Sequence, residues 1–371
     1  MKRCLLWLLY LLILFLPLEH TDAKERLVLT VTTSPNSSYY SEMTIEDRNN
    51  LAGKILKSAA VNAAEGPDLP RAKIGIGSRV FLLDSYHRLY EPTRGKRILI
   101  SSWIQNQLDG YVNKLEKAHF GNPLDWDKVR EQFGRMKYAE VIDMETGEKF
   151  RVQRRAGSRH ADVQPLTKQD TAVFKRIYQG KWSWRRRAIL VSINGERFAA
   201  SMNGMPHGAG AIRGNNFPGH FCIHFQGSST HKRTEPDPAH HLMITKASGD
   251  LKKLILEASL QKLVEIYLLS LQQNDLSTLE MTTDGFTPSF SLKEIDLTKY
   301  VILNLKDDRA ELLASEVHVT ASYIENGTKK KKAGWVFHLK RHSPLERWKI
   351  CGLEQEKKTM ESPQKGASIQ R

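Results

Sequence analysis

The chain has 371 residues, a length that fits two or three domains. Hydrophobic residues make up 40% of it and charged residues 26%, which excludes a polytopic membrane protein, a fibrous repeat and a wholly disordered chain. The formal net charge of +15 favours a polyanionic partner such as nucleic acid, anionic lipid or a cell-wall polymer. With only three cysteines, the chain is not a disulfide-rich scaffold.

The N-terminus, residues 1–23, has the organisation of a secretory signal peptide. Lys2 and Arg3 precede an apolar run that is too short to cross a bilayer as a helix, and Thr21 and Ala23 fit a cleavage after Ala23. We therefore expect a secreted or surface-held protein of the cell envelope with no transmembrane segment left after cleavage. Its polyanionic partner is then peptidoglycan or another anionic wall polymer, not nucleic acid. An uncleaved membrane anchor is the alternative.

The first region after this site, residues 24–136, mixes strand and helix patterns, and the sequence assigns it no role. Alternating β-branched residues predict a strand over residues 26–33, and residues 73–83 predict a strand pair. Helical patterns cover three further segments, residues 44–64, 101–117 and 125–136.

Short alternating segments predict a β-rich domain over residues 137–247. Hairpin turns are expected at Gly147, which allows a positive φ, and at Asn194-Gly195, the strongest short hairpin signal. One helix is expected, over residues 167–178. The predicted strands are residues 138–144, 149–155, 188–193, 196–202 and 220–225.

Residues 248–354 predict an α+β unit, and residues 355–371 predict a disordered polar tail. A long helix is expected over residues 251–273. Strands should follow at residues 290–295, 300–305, 311–321 and 332–342. This order resembles the cystatin-like cone of the nuclear-transport-factor-2 type, and the resemblance implies a dimer formed through the C-terminal domain.

The densest group of reactive side chains lies late in the β-rich domain. On a strand, alternate side chains share a face, so His220, Cys222 and His224 should project together while the apolar residues between them face the core. Two imidazoles beside a thiol suit nucleophilic catalysis, because an imidazole lowers the thiol pKa or accepts its proton. A glycine loop after His207 could bring this imidazole close and offer backbone N–H groups to an oxyanion.

These residues resemble the catalytic motif of the L,D-transpeptidase (YkuD-like) family, which has a His-Gly pair, a gap and then Ser-His-Gly-Cys-x-Arg. His207-Gly208 matches the first pair, and His220 and Cys222 match the His-x-Cys. The resemblance implies a mostly β domain in which Cys222 is the nucleophile, His207 the base and His220 a supporting residue. It also implies acyl transfer on peptidoglycan stem peptides, with no cofactor.

The chain departs from the family motif at three positions. Gly219 stands in place of Ser or Thr, Phe221 in place of Gly, and His224 in place of the Arg that binds the substrate carboxylate. We expect His224, Gly208 and Arg213 to bind the substrate.

Other interpretations stay open. The protein could be a zinc-dependent peptidoglycan peptidase or a wall-binding protein without catalysis. Cys222 could be inert, or could pair with Cys351 in an oxidising compartment. The zinc alternative would use His160, Asp162, His220 and His224.

Residues 181–187 combine two Trp residues with four cations. In a secreted protein the Trp faces would stack on sugar rings while the cations meet wall phosphates or carboxylates. A hairpin strand with Trp inside and Arg outside is the structural alternative.

Overall fold

The computed structural model describes residues 26–63, 65–230, 236–286, 288, 292, 295–303 and 312–356. The predicted signal peptide, nearly all of the predicted tail and most of the strand predicted at residues 290–295 lie outside the described residues. The described chain forms eight α-helices and three mostly antiparallel sheets, one of them a closed six-stranded barrel. The mixed α+β class is therefore confirmed. None of the described helices is both long and apolar enough to cross a membrane.

The chain divides into two compact units. Of the described residues, the first unit comprises 26–30 together with those of 42–112, and the second comprises 31–41 together with those from 113 onward. The domain boundaries expected after residues 136 and 247 stay predictions.

Most strands of a seven-stranded sheet lie in the first unit. Its strands are β1 (Leu27–Thr32), β2 (Tyr40–Ile45), β3 (Ala60–Asn62), β4 (Ala72–Ile76), β5 (Arg79–Leu83), β6 (Leu89–Glu91) and β7 (Lys96–Ile98). Their order is β2-β1-β4-β5-β6-β7-β3. The strand pair predicted at residues 73–83 is confirmed as β4 and β5, which pair antiparallel.

The helix predicted over residues 44–64 is wrong in extent. Only α1 (Leu51–Lys57) is helical, and it lies between β2 and β3. The carboxylate of Asp47 accepts the backbone N–H groups of Leu51 and Ala52, so the helix begins there and not at residue 44. The helix predicted at residues 101–117 is confirmed as α2 (Ser102–His119).

The second unit contains the barrel. Its strands are β8 (Tyr138–Asp143), β9 (Lys149–Ala156), β10 (Ala161–Pro165), β11 (Ser183–Ile193), β12 (Glu196–Gly204) and β13 (Phe221–His224). They close in the order β10-β13-β12-β11-β8-β9. Both predicted hairpin turns are confirmed, with positive φ at Gly147 and at Asn194-Gly195. Strand β10 was not predicted.

Apolar side chains fill the barrel, and two helices pack against this core. Helix α3 (Trp126–Gln132) contributes Trp126 and Val129, and α4 (Lys168–Ile177) contributes Phe174. Helix α4 begins with a capping box between Thr167 and Asp170, which agrees with the helix predicted there.

Helix α5 (Pro238–Ser248) packs against β11 and β12 on the outside of the barrel. Asp237 caps it by accepting the N–H groups of Ala239 and His240, and Pro238 occupies its first position. Near its C-terminal end, the buried ammonium of Lys246 lies 2.8 Å from the Asp275 carboxylate. This pair ties α5 to the helices that follow.

The long helix predicted over residues 251–273 is interrupted. Two helices, α6 (Leu251–Leu256) and α7 (Leu260–Gln273), cover it, because the Ser259 hydroxyl accepts the N–H of Lys262 and starts a new helix. After α8 (Leu276–Met281) come four strands in sheet order. They are β14 (Ile295–Ile302), β15 (Ala314–Glu325), β16 (Lys329–Lys340) and β17 (Lys349–Gln355).

Candidate active site

Strand β13 divides its side chains between the two faces of the barrel wall, as the alternation predicts. Phe221 and Ile223 lie in the barrel core. Cys222 faces the other way and is the register partner of Asp162 on β10. His224 is the register partner of Ser201 on β12. The barrel wall therefore places a thiol, an imidazole and a carboxylate on one outer face.

A loop between β12 and β13 brings His207 to this face. The backbones of His207 and His220 form an isolated antiparallel bridge, with both N–H···O distances at 2.9 Å. Gly208 and Gly219 make the close approach possible, because both have positive φ. A Cβ on Gly208 would clash with the His220 ring, and one on Gly219 with the His207 carbonyl. The glycine at 219, a departure from the family motif, is therefore required by this backbone.

Gln164 fastens the same loop to strand β10. Its amide nitrogen donates to the Gly219 carbonyl at 2.7 Å, and its amide oxygen accepts the N–H of Ala211 at 2.8 Å. Gln164 is almost fully buried and lies two residues after Asp162 on the same strand. The strand that carries the carboxylate thus also holds the loop that carries His207.

Cys222 and His207 are in direct contact, with Sγ 3.2 Å from Nε2. The other ring nitrogen of His207, Nδ1, lies 2.8 Å from the Met205 carbonyl oxygen, to which it donates. The hydrogen bond with Cys222 raises the pKa of His207. Cys222 is 5% exposed, and burial alone would raise its pKa, but hydrogen bonds with His160 and His207 outweigh burial and lower it. This environment favours a thiolate–imidazolium pair.

His160 approaches the thiol from the buried side. Its Nε2 lies 3.1 Å from Asp162 Oδ1, and its Nδ1 lies 2.9 Å from the Ser229 carbonyl oxygen. Burial opposes a charge here, but the hydrogen bonds with Asp162 and Cys222 prevail and raise the pKa of His160 to about 10. Asp162 therefore stabilises a second imidazolium beside Cys222.

His224 is buried within a stack of three imidazoles. Its ring lies 4.5 Å from the ring of His160 and 3.7 Å from that of His240 on α5, both nearly parallel. Only 2% of His224 is exposed, and burial lowers its pKa and that of His240 well below the usual range. His240 Nδ1 lies 2.9 Å from the Ser201 hydroxyl. The expected role of His224 in substrate binding stays a prediction.

The remaining predicted residues lie on the solvent side. His220 is partly exposed, its Nδ1 lies 3.1 Å from the Ala209 carbonyl oxygen, and its Nε2 lies 3.9 Å from Asp162 Oδ1. Its ring meets that of His207 edge to face at 4.6 Å. Gly208 and Arg213 belong to the same loop, and Arg213 is exposed. Their substrate-binding roles also stay predictions.

Two groups of potential metal ligands share the Cys222 sulfur. One consists of His207, His220 and Cys222, and the other of His160, Cys222 and His224. Within each group the ligand atoms lie within 4.8 Å of one another. The zinc set proposed from the sequence is divided, since His220 belongs to the first group, His160 and His224 belong to the second, and Asp162 belongs to neither.

A groove of about 690 Å³ lies next to the site, although neither His207 nor Cys222 is among the residues that line it. Its lining includes Trp184 and Arg185 on β11, Gln272 of α7, and Lys299 and Tyr300 on β14. Met205, whose carbonyl holds His207, also lines the groove. The Trp184 ring lies 5.2 Å from the His207 ring. Met205 and Trp184 therefore link the lining of the groove to His207.

The aromatic and cationic residues of segment 181–187 differ in their surroundings. Trp182 packs against the barrel core, whereas Trp184 is 52% exposed. Arg186 pairs with Asp237 at 2.9 Å and Arg187 pairs with Asp143 at 2.6 Å. The simple alternation of Trp inside and Arg outside is therefore wrong for Trp184, which faces solvent.

Cys222 and Cys351 are both free thiols. Cys351 is partly exposed on β17, and burial raises its pKa. The two thiols therefore have opposite pKa shifts within one chain.

Sequence reasoning missed three contributors to the site. Gln164 and the second imidazolium at His160 depend on β10, a strand whose five residues include Pro and two polar side chains. His240 depends on α5, whose first residues resemble a turn. A polar residue at alternate positions of a short strand, as in Asp162 and Gln164, was the available signal.

Comparison of the chain with protein-family models, with curated proteins and with solved structures found no match in any of the three.

Proposed function

We propose that this chain is a secreted cell-envelope enzyme that transfers or hydrolyses acyl groups of peptidoglycan stem peptides through Cys222. The observation that carries the proposal is the 3.2 Å contact between Cys222 Sγ and His207 Nε2. A nucleophile needs its base within hydrogen-bond reach and a third group to orient that base. The Met205 carbonyl, which accepts from His207 Nδ1, orients the ring.

The first step forms a thioester. The Cys222 thiolate attacks a peptide carbonyl, the C–N bond breaks, and the leaving amine takes the proton from the His207 imidazolium. In the second step an amine or water attacks the thioester, gives its proton to His207 and releases the thiolate. Backbone N–H groups of the loop around Gly208 are the candidates to stabilise the oxyanion in both steps.

His160 and Asp162 support this chemistry from the buried side. An imidazolium next to the thiol favours the thiolate, and the carboxylate 3.1 Å from His160 Nε2 keeps that imidazole charged. Because His160 is almost fully buried whereas His207 is partly exposed, we assign His160 to activation of the nucleophile. The partly exposed His207 is then the group that exchanges protons with the substrate.

The groove supports a chain-like substrate. The exposed Trp184 offers a flat apolar face, and the cations Arg185 and Lys299 in the same lining suit carboxylates or phosphates. Those are the groups of stem peptides and wall polymers. We extend the proposal to the fold: the barrel is the L,D-transpeptidase-like domain, and the helix and sheet after it are the cystatin-like domain.

The test is an assay on tetrapeptide muropeptides with and without an acceptor amine. Wild-type protein and Cys351→Ser should both release or transfer the acyl group, and Cys222→Ser should do neither, because a hydroxyl ionises far less readily than a thiol. Chelators should not lower the rate. Equal activity of wild type and Cys222→Ser would refute the proposal, and activity that chelators abolish would favour the zinc peptidase.

A further inference from the structure

Three side chains on the partly exposed side of the site have the geometry of a metal site. His207, His220 and Cys222 each present one ligand atom within 4.8 Å of the others. His207 and His220 each hold Nδ1 against a backbone carbonyl, of Met205 and of Ala209. Metal-binding histidines are fixed in this way, with one ring N–H on a carbonyl and the other nitrogen left for the metal.

The ligand atoms, one sulfur and two nitrogens, indicate which class of metal ion this group would bind. One thiolate and two imidazoles suit zinc, whereas magnesium and calcium prefer oxygen ligands. Tetrahedral zinc with bonds of about 2.3 Å to sulfur and about 2.0 Å to nitrogen holds these atoms roughly 3.5 Å apart. The 3.2 Å between Cys222 Sγ and His207 Nε2 is close to that separation.

The group of His207, His220 and Cys222, here called the open group, is a better metal site than the buried group of His160, Cys222 and His224. His207 and His220 are partly exposed, so an ion in solution can reach them. In the buried group all three residues are almost fully buried, so an ion in solution does not reach them, and His224 is stacked between His160 and His240. The Asp162 carboxylate lies 3.8 Å from Cys222 Sγ and 3.9 Å from His220 Nε2, so it adds a negative charge beside the open group.

We propose that His207, His220 and Cys222 bind one zinc ion, with water as a fourth ligand, and that this binding reversibly blocks the nucleophile. The blocking half of the proposal rests on the proposed function. Zinc binding displaces into solvent the proton that the thiol and the His207 imidazole share, and no oxidation or reduction is involved. While both groups are bound to the ion, neither can serve as nucleophile or base.

Cobalt(II), a spectroscopic probe for zinc sites, tests whether the protein binds a metal ion at these three residues. Wild-type protein should bind one equivalent, show a thiolate-to-cobalt charge-transfer band, and lose it when zinc is added. His220→Ala should weaken zinc binding at least about 10-fold while keeping Cys222 and His207. His241→Ala, which removes an exposed histidine of α5, should leave binding unchanged. A missing band, or equal binding by wild type and His220→Ala, overturns the site.

Alkylation of the thiols separates this proposal from the proposed function. Zinc should protect Cys222 from iodoacetamide and leave Cys351 unaffected. If Cys222 reacts fast without zinc and equally fast with it, zinc inhibition fails while the nucleophile stands. If cobalt binds but metal-free Cys222 reacts no faster than Cys351, the proposed nucleophile fails while the metal site stands.

Discussion

Asp162 and Cys222 are register partners on adjacent strands of the barrel, and Asp162 Oδ1 lies 3.8 Å from Cys222 Sγ. Side chains of paired residues in an antiparallel sheet share a face, so the barrel wall itself fixes the carboxylate beside the thiol. The same carboxylate holds His160. Cys222 thus has one imidazole held by the barrel side and one, His207, held by a loop. The imidazole on the barrel side, His160, is almost fully buried, whereas His207 on the loop side is partly exposed.

The two free thiols should differ in their reactivity toward alkylation. Burial raises the pKa of Cys351, whereas the neighbouring imidazoles lower that of Cys222 despite its burial. Below its pKa a thiol loses about tenfold in thiolate per pH unit. On lowering the pH from 9 toward 6, Cys351 should therefore lose reactivity first and Cys222 should keep it longer. Peptide mapping after timed iodoacetamide treatment measures both rates, and superimposable pH profiles would contradict the assignment.

Removal of the base should slow acylation without unfolding the barrel. His207→Ala should lower the acylation rate about 10²–10⁴-fold, the usual contribution of a general base. His207 lies on a loop outside the apolar core, so circular dichroism of the variant should match wild type. His241→Ala is the matched control, because its imidazole lies outside the site. A His207→Ala rate equal to that of wild type would remove this residue from the mechanism.

The groove should contribute to substrate binding and not to the reactivity of the thiol. Trp184→Ala removes the exposed ring that lines the groove, and we expect KM to rise about 10-fold, as for the loss of a stacked aromatic contact. The iodoacetamide rate of Cys222 should stay at the wild-type value, since this reagent does not need the groove. Steady-state kinetics and alkylation on the same preparation give both values. A lower alkylation rate with unchanged KM would mean that Trp184 acts through His207 instead.

A buried neutral histidine should make the protein acid-labile. His119 lies between the hydroxyls of Thr33 and Ser41, and burial, with help from Lys252 and Arg197, lowers its pKa to about 4. Between pH 6.5 and 4 the unfolded chain binds a proton at this position while the folded chain does not, so stability falls as the pH falls. The loss should be roughly 3 kcal/mol over this window.

Urea unfolding at pH 7 and at pH 4 measures this loss. His119→Gln, which keeps polar contacts but cannot titrate, should lose less stability on acidification than wild type. His342→Gln, which replaces an exposed histidine, should behave as wild type. Equal losses in wild type and His119→Gln would show that other groups cause the acid sensitivity.

Local patterns in the sequence were sufficient for the parts of the site that lie on one segment. The period-two alternation placed Cys222 and His224 on the face opposite Phe221 and Ile223. The Asn194-Gly195 turn fixed the hairpin of β11 and β12, because few residue pairs adopt positive φ at both positions.

The rest of the site depends on pairing between distant segments. Strand β10 is only five residues long and ends in Pro165, so its own pattern is too weak to indicate a strand. Its pairing with β13, which brings Asp162 to Cys222, leaves no local signal. Helix α5 was missed because Asp237 and Pro238 favour a turn as readily as they cap and begin a helix. The stacked position of His240 follows from that helix.

The most direct test of the account is the mass of the protein after incubation with an acyl donor. A cysteine acyltransferase must pass through a thioester on its nucleophile. Intact mass and peptide mapping of mature protein with tetrapeptide muropeptides should show one acyl adduct on Cys222, in wild type and in Cys351→Ser. Cys222→Ser should show none. No adduct with any wall fragment, together with binding to whole walls that survives Cys222→Ala, would contradict the account and make the protein a wall-binding module.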